Sequence, residues 1–153
     1  KDAQIEHGGS TAVKGLGGKG IIDVLISVKK KNIAKNKKRL EKEGYVFHAS
    51  GSGKERIYFD REYVYNGKAR RVHLHLNPHG GFELRRAIAF VKYLTAHPDK
   101  MKEYAKIKRE GAEYAKGEAQ KYRDYKQKFL EKLGKEALRE FKKTSIKSTF
   151  KKL

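Results

Sequence analysis

Two histidines at alternate positions, His73 and His75, lie in an apolar segment with the composition of a β-strand. Because successive side chains of a strand point to opposite faces, we expect both imidazoles on one face, with Leu74 and Leu76 facing the core. Imidazole nitrogens bind metal ions and interact with phosphate groups. His73 and His75 are therefore candidate metal ligands. The alternative interpretation is a pair of surface histidines on a solvated sheet face.

A single carboxylate, Asp23, stands in a second apolar segment of strand composition, residues 21–28. A carboxylate among apolar residues is costly to bury unless it is paired or bound to a metal ion. Asp23 is therefore a candidate ligand of a divalent metal ion, with an ion pair to a lysine at a strand edge as the alternative. The next position on the same face is Leu25 rather than an acid, and Glu6 is the nearby acid that could substitute for the missing carboxylate.

The stretch before Asp23 is rich in glycine and contains Gly9 and Ser10 in one small turn. Backbone N–H groups of such a loop, together with a hydroxyl, bind phosphate oxygens, and Lys19 would add a positive charge. The stretch is not a Walker A loop, because Gly20 follows Lys19 where that motif requires Ser or Thr. It is not a dinucleotide-binding fingerprint either, because we predict no strand before the glycines and no helix after them. A loop that is merely flexible is the alternative.

The composition is strongly basic, since 38 Lys and Arg residues against 18 Asp and Glu give a formal net charge of +20 over 153 residues. This balance favours an anionic partner, either a nucleic acid or a phosphorylated small molecule. A solubilising surface rich in lysine is the alternative. The absence of cysteine excludes disulfides and thiolate metal sites. No apolar run has membrane-spanning length and no signal peptide is visible, so we expect a cytoplasmic protein without membrane contact.

The first half of the chain is predicted to contain both strands and a helix. Five segments have strand composition: 21–28, 45–48, 56–59, 62–65 and 69–76. A helix is predicted from Asn32, as its N-cap, to Glu43, and Gly44 ends it. Asn66 and Gly67 predict a two-residue hairpin turn between the last two strands.

The second half is predicted to be helical, since apolar residues recur there at helical spacing. Four helices are expected: one ended by Pro98, one capped by Asp99, one containing Tyr122 and a short one at Phe141. Strands followed by helices predict an α+β fold, with a small mixed or antiparallel sheet and a C-terminal set of helices packed against it. We expect one domain over residues 1–141 and a basic tail over 142–153.

The glycine-rich stretch and the segment after it, residues 7–23, resemble the signature of the GrpB-like family. That family belongs to the nucleotidyltransferase superfamily, whose fold is like that of DNA polymerase beta. Further family segments match in order along the chain: 73–76, 90–98, 104–108 and 122–129. Lys14 and Gly20 stand where the family has proline. Family members also have an extra N-terminal segment, so part of the native protein is expected to precede Lys1.

The resemblance implies a sheet of the nucleotidyltransferase type and a ligand, a nucleoside triphosphate with Mg²⁺. The turn at Gly9 and Ser10 would hold the triphosphate, and Lys108 and Lys126 of two matched helices would contribute point charges to it. Superfamily members bind two Mg²⁺ ions through two carboxylates that share one face of a strand, and the histidine pair falls near the position of their third carboxylate. Because Leu25 replaces the second carboxylate, the resemblance supports phosphate binding better than nucleotidyl transfer.

Three functions follow as hypotheses. The first is a Mg²⁺-dependent nucleotidyltransferase acting on an unknown acceptor, with Asp23 as its catalytic residue. The second is an inactive nucleotide- or nucleic-acid-binding module of the same fold, which Leu25 and the net charge favour. The third is a metal-dependent hydrolase that uses Asp23, His73 and His75.

Overall fold

The computed structural model describes residues 2–17 and 20–143, with side chains as far as residue 141. Lys19 and most of the predicted basic tail therefore lie outside the described residues. The strands are β1 Gln4–Gly8, β2 Ile21–Val28, β3 Val46–Phe47, β4 Ile57–Tyr65 and β5 Lys68–Pro78. The helices are α1 Ile33–Lys42, α2 Phe82–Ala96, α3 Pro98–Ala115 and α4 Ala119–Lys143. Within this described part, none of the helices combines the length and the hydrophobicity that a membrane span requires.

The five strands form one mixed sheet in the order β1-β2-β5-β4-β3. β2 and β5 are parallel neighbours at its centre, whereas the other pairs are antiparallel. The parallel pair requires a crossover connection, which α1, β3 and β4 provide. The predicted α+β fold with a small mixed sheet is confirmed, and its two parallel strands carry Asp23 and the histidine pair.

One face of the sheet is covered by α1. The buried residues of this sheet face are Val28, Phe59, Leu74 and Leu76, and Ile33 and Leu40 of α1 pack against them. Leu74 and Leu76 are 2% and 0% exposed, which confirms the predicted alternation of β5. Burying an aliphatic or aromatic side chain contributes about 1.5–3 kcal/mol to folding stability. A shift of one residue in the strand pairing would expose the buried residues of this sheet face. The cluster therefore fixes the register of the central strands.

The C-terminal helices cover the opposite face and form a second core. Its buried members are Val13, Leu16, Ala89, Tyr93, Leu94, Tyr104, Leu133 and Ala137. Val13 and Leu16 come from the loop between β1 and β2, so two apolar side chains hold the glycine-rich stretch against the helices. His97, at the junction of α2 and α3, stacks on Tyr93, and its Nε2 lies 2.8 Å from Glu140 Oε2 of α4. These contacts tie the three helices together.

β4 and β5 form one long hairpin, which corrects the prediction of two short strands over 56–59 and 62–65. The ladder to β5 is continuous over the whole of β4, because pairing with a neighbouring strand outweighs the charged residues that interrupt the apolar pattern. Asn66 and Gly67 have φ values of 50° and 69°. A type I′ turn requires positive φ at both positions, so the predicted hairpin turn is confirmed.

Three other predictions differ from the structure. β1 precedes the glycines, where the sequence pattern predicts no strand, but it pairs antiparallel with β2 and so does not form the parallel unit of a dinucleotide-binding fold. The short helix predicted at Phe141 is the end of α4. Pro98 rather than Asp99 opens α3, after His97 as the N-cap residue, because proline suits the first turn of a helix. The single domain over residues 1–141 stays a prediction.

Candidate functional site

Asp23, His73 and His75 come together at the centre of the sheet. In the parallel pairing of β2 with β5, Asp23 lies opposite His73, and Leu25 lies opposite His75, so these side chains share one face. The Oδ1 atom of Asp23 is 3.4 Å from His73 Nδ1 and 3.4 Å from His75 Nε2. Two imidazoles of one strand thus converge on a single carboxylate of the neighbouring strand.

The carboxyl group of Asp23 is held in its ionised form. Burial raises its pKa and is the largest single influence, but the hydrogen bonds from His73 and His75, together with their charges, outweigh it. The pKa of Asp23 therefore lies well below the usual value for an aspartate. The two imidazoles therefore stabilise the charged form of this carboxylate.

The pH dependence of unfolding should report this carboxylate. A carboxyl with a lower pKa in the folded state stabilises the protein above its unfolded pKa of about 4, and this stabilisation is lost as the pH falls through the folded pKa. We expect Asp23→Asn to lower the free energy of unfolding, measured in urea at about pH 6. The difference in this free energy between the variant and the wild type should narrow below about pH 4. Asp99→Asn, at an exposed position of α3, is the control. A difference in the free energy of unfolding that stays constant with pH would contradict the lowered pKa.

The turn at Gly9 and Ser10 lies directly against Asp23. Gly9 has φ 65° and ψ −167°, a conformation that essentially only glycine adopts. A Cβ atom at Gly9 would lie 2.0 Å from Asp23 Oδ2, so the backbone approaches the carboxylate this closely only because the residue is glycine. Ser10 begins a single 3-10 turn and lines the space in front of Asp23. The predicted phosphate turn and the predicted catalytic carboxylate therefore border one cavity.

A groove of about 840 Å³ runs in front of Asp23, between the sheet and helices α3 and α4. We call it the basic cleft, because several Lys and Arg residues line it and, among the described residues, Asp23 is the one acid that does so. These cationic residues are Arg71, Lys108, Arg109, Arg123 and Lys126. Arg71 also forms an ion pair with Glu62 of β4. The groove is thus strongly positive, and low-dielectric walls focus such a field on an anion.

Lys108 and Lys126 both line the basic cleft, but their surroundings differ. Lys108 Nζ donates to the carbonyl oxygens of Leu16 at 3.3 Å and Gly17 at 2.7 Å, so α3 holds the glycine-rich loop through this side chain. Burial lowers the pKa of Lys108. Lys126 Nζ lies 3.8 Å from the centre of the Tyr122 ring, a cation–π contact that places the ammonium group at the wall of the groove. The role of both lysines in phosphate binding stays a prediction.

Two groups beside the cluster are not predicted from the sequence. Tyr58 of β4 lies next to both histidines, with its ring centre 5.3 Å from that of His73 and 5.4 Å from that of His75, and it lines the basic cleft. His48 Nε2 lies 2.8 Å from Oδ1 of Asp60, the residue opposite His73. The alternation of Tyr58 and Asp60 along β4 indicates a shared face, but only the pairing with β5 brings that face to the cluster.

The donor atoms around Asp23 do not fit the pair of Mg²⁺ ions that the resemblance implies. Mg²⁺ requires oxygen ligands in octahedral geometry, whereas Asp23 Oδ1 faces two imidazoles. Leu25, which is 4% exposed, fills the position of the second carboxylate. Glu6 lies opposite Leu25 in the β1–β2 pairing but does not complete a metal site. Across the described ranges, no group of three or more His, Cys, Asp or Glu side chains is arranged to hold a metal ion.

The chain matches the family described as GrpB protein over residues 2–136. UPF0157 protein BH1888 of Halalkalibacterium halodurans is 32% identical over 138 residues, which are 90% of this chain and 68% of that protein. UPF0157 protein YqkA of Bacillus subtilis is 32% identical over 107 residues, but these are only 30% of its length. Glutamate-rich protein GrpB of Alkalihalophilus pseudofirmus is 32% identical over 137 residues, 84% of this chain and 75% of that protein. A crystal structure of GrpB from Enterococcus faecalis has a TM-score of 0.75 and 28% identity, covering 90% of this chain and 81% of that chain.

Proposed function

This chain belongs to the GrpB family, and from that premise we propose that it binds a nucleoside triphosphate in the basic cleft. The observation that carries the proposal is the set of five Lys and Arg side chains, counted among the described residues, that line this groove beside the turn at Gly9 and Ser10. A single phosphate group occupies only a few such cations, whereas a chain of phosphates spreads its charge over all of them. A polyphosphate ligand therefore suits the groove best.

The cations approach the groove from three elements. Lys108 and Arg109 belong to α3, Arg123 and Lys126 to α4, and Arg71 to β5. Guanidinium groups bind phosphate oxygens through two parallel hydrogen bonds, and ammonium groups act as point charges. Backbone N–H groups and the hydroxyl of the turn at Gly9 and Ser10 would add neutral donors at one end. This combination of charge and donors is typical of triphosphate sites.

The same groove offers a surface to a nucleoside. Tyr58 and Tyr122 line it from β4 and α4, and aromatic rings stack on nucleobases of any identity. Burial raises the pKa of both phenols, so the rings carry no charge at neutral pH that would repel a triphosphate. The lining therefore supports nucleotide binding without favouring one base.

We propose binding rather than nucleotidyl transfer because of Leu25. Two-metal transfer needs a second carboxylate on the face of Asp23, and an apolar side chain fills that position. The hydrolase hypothesis meets a related difficulty, since His73 and His75 are directed at the carboxylate of Asp23 itself. An inactive nucleotide-binding module is therefore the function that these residues support best.

Isothermal titration calorimetry with ATP, GTP, CTP and UTP, each with and without Mg²⁺, tests the proposal. We expect at least one of them to bind, and we expect the affinity to fall as the salt concentration rises. Lys126→Gln should weaken binding roughly tenfold, because a hydrogen bond to a charged group contributes about 1.5 kcal/mol or more. Lys106→Gln removes the same charge from an exposed position of α3 outside the cleft and should bind like the wild type.

Failure of all four nucleotides to bind at millimolar concentration would contradict the proposal. Equal losses of affinity in the two lysine variants would also count against it, since binding would then depend on net charge rather than on the cleft. Tight, salt-sensitive binding of a mixed-sequence RNA that Lys126→Gln leaves unchanged would favour the nucleic-acid-binding alternative.

A further inference from the structure

A second cavity, of about 360 Å³, adjoins the basic cleft at Asp23 and extends between the sheet and helices α2 and α4. Three of its lining residues each hold a buried polar atom that has no hydrogen-bond partner in the described part of the chain. These atoms are Arg56 Nε, His75 Nδ1 and Asn77 Oδ1. Buried polar groups are nearly always hydrogen-bonded in proteins, so three such atoms around one cavity indicate a site built for a polar ligand.

The Asn77 amide is fixed, so its oxygen cannot turn away to another partner. Asn77 is 1% exposed. Its Nδ2 donates to the backbone carbonyl of His75 at 2.8 Å and lies 3.5 Å from that of Ile26, which bridges the two parallel strands. With the nitrogen end used in this way, Oδ1 is left as a buried acceptor.

The Arg56 guanidinium is held at its terminal nitrogens. One of these donates to the carbonyl oxygen of Gly51 at 2.9 Å, and the other lies 3.7 Å from Glu83 Oε2 of α2. These contacts orient the planar group and leave Nε–H as a donor directed at neither partner. Arg86 and Lys126 also line this cavity. Asp23 and Glu83 offset two of these three cationic side chains, so the described lining of this cavity is less positive than that of the basic cleft.

His75 connects the two cavities through its ring. Its Nε2 lies 3.4 Å from the carboxylate of Asp23, and its Nδ1 is the buried nitrogen that has no partner among the described residues. The lining of the second cavity therefore holds one buried donor, at Arg56 Nε, one buried acceptor, at Asn77 Oδ1, and one imidazole nitrogen, at His75.

We propose that this second cavity is a binding subsite for a small uncharged polyhydroxylated molecule, a sugar or a cyclic polyol. Hydroxyl groups both donate and accept, so neighbouring hydroxyls of one ring-shaped ligand can satisfy a donor, an acceptor and an imidazole nitrogen together. Leu25, Phe90 and Leu130 line the same cavity and pack against the carbon skeleton of such a ring. The subsite itself does not depend on the proposed function. Only its role rests on the proposed function, because in that role it holds a second ligand beside the bound nucleotide.

Saturation-transfer NMR on the full chain tests the subsite, with myo-inositol and D-glucose as the observed ligands. The control ligand is cyclohexylmethanol, which has a similar size but a single hydroxyl. We expect transfer to at least one polyol and weaker transfer to the single alcohol. Arg56→Lys keeps the charge but removes Nε, and it should weaken polyol binding at least tenfold. Arg61→Lys makes the same exchange at an exposed position of β4 outside the cavity and should bind like the wild type. His75→Phe, which keeps a ring beside Tyr58, gives a second test should Arg56→Lys fail to fold.

The outcomes separate this subsite from the nucleotide site. No transfer to either polyol in a folded sample, or equal binding by the Arg56 and Arg61 variants, would overturn the subsite. Displacement of the polyols by adenosine would also overturn it, because the cavity would then belong to the nucleoside. Calorimetry with ATP, GTP, CTP and UTP on the same samples reports the proposed function independently. Binding of a nucleotide without binding of polyols would count against the subsite alone. Binding of polyols without binding of any of the four nucleotides would support the subsite while contradicting the proposed function.

Discussion

Gly9→Ala should lower the free energy of unfolding by about 3 kcal/mol or more and abolish nucleotide binding. The new methyl group would lie 2.0 Å from Asp23 Oδ2, on a backbone with φ 65°. If the carboxylate moves aside, it loses its contacts with His73 and His75, and if the turn moves instead, Ser10 leaves the cleft. In a domain of this size the loss corresponds to a fall in Tm of about 6–12 °C.

Gly80→Ala separates backbone strain from the contact with Asp23. Gly80, which lies outside the basic cleft, also has a positive φ, 67°, but a Cβ atom there would meet nothing within 4 Å among the described residues. We expect this variant to lose about 1 kcal/mol and to keep nucleotide binding. Thermal unfolding followed by circular dichroism, with titration of ATP by calorimetry, measures both effects. Similar losses of stability in the two variants would show that the closeness of Asp23 is not what restricts position 9.

Asp23→Asn should strengthen the binding of Mg²⁺-free ATP by roughly tenfold at low salt, because it removes a negative charge from the lining of the basic cleft. Two unit charges about 6 Å apart interact by about 2–3 kcal/mol at an effective dielectric constant of about 20, and solvent screening reduces this value. The variant loses some stability, as the two imidazoles lose a charged acceptor. Calorimetric titration of ATP in the presence of a chelator measures the affinity directly.

Asp99→Asn is the matched control for this charge change, since Asp99 is exposed and lies outside the residues that line the cleft. It should leave the ATP affinity within about twofold of the wild type, because an exposed charge at a distance is screened. The alternative, in which Asp23 holds a metal ion for the triphosphate, predicts the opposite result. ATP would then bind more weakly to Asp23→Asn, and the loss would appear only when Mg²⁺ is present.

The histidine pair shows how far a sequence pattern reaches. Alternation along a strand places His73 and His75 on one face whatever the surrounding fold, and the apolar run around Asp23 identifies a second strand. The pattern contains no information on register, which sets Asp23 opposite His73. Register depends on the burial of the opposite face against α1, and therefore on contacts between residues that are distant in the sequence.

The sequence does not predict β1 or the second cavity either, and the reasons differ from the one that applies to the register. The segment Gln4–Gly8 is short and mixes polar with apolar residues, so it becomes a strand only through pairing with β2. Arg56 precedes a strand and Asn77 is the second-to-last residue of one, and no local pattern distinguishes them from other polar residues in such positions. Their buried atoms arise where α2 closes over the sheet, which is a property of the packed molecule.

The parallel pairing of β2 with β5 has a consequence for how ligands influence the folding kinetics. Asp23 and His75 are 52 residues apart in the chain, so closing this pair costs more chain entropy than forming the β4–β5 hairpin or the C-terminal helices. The walls of the basic cleft are complete only after that non-local step. A molecule bound there stabilises the finished topology and none of its local precursors. It should therefore slow unfolding while leaving the refolding rate nearly unchanged.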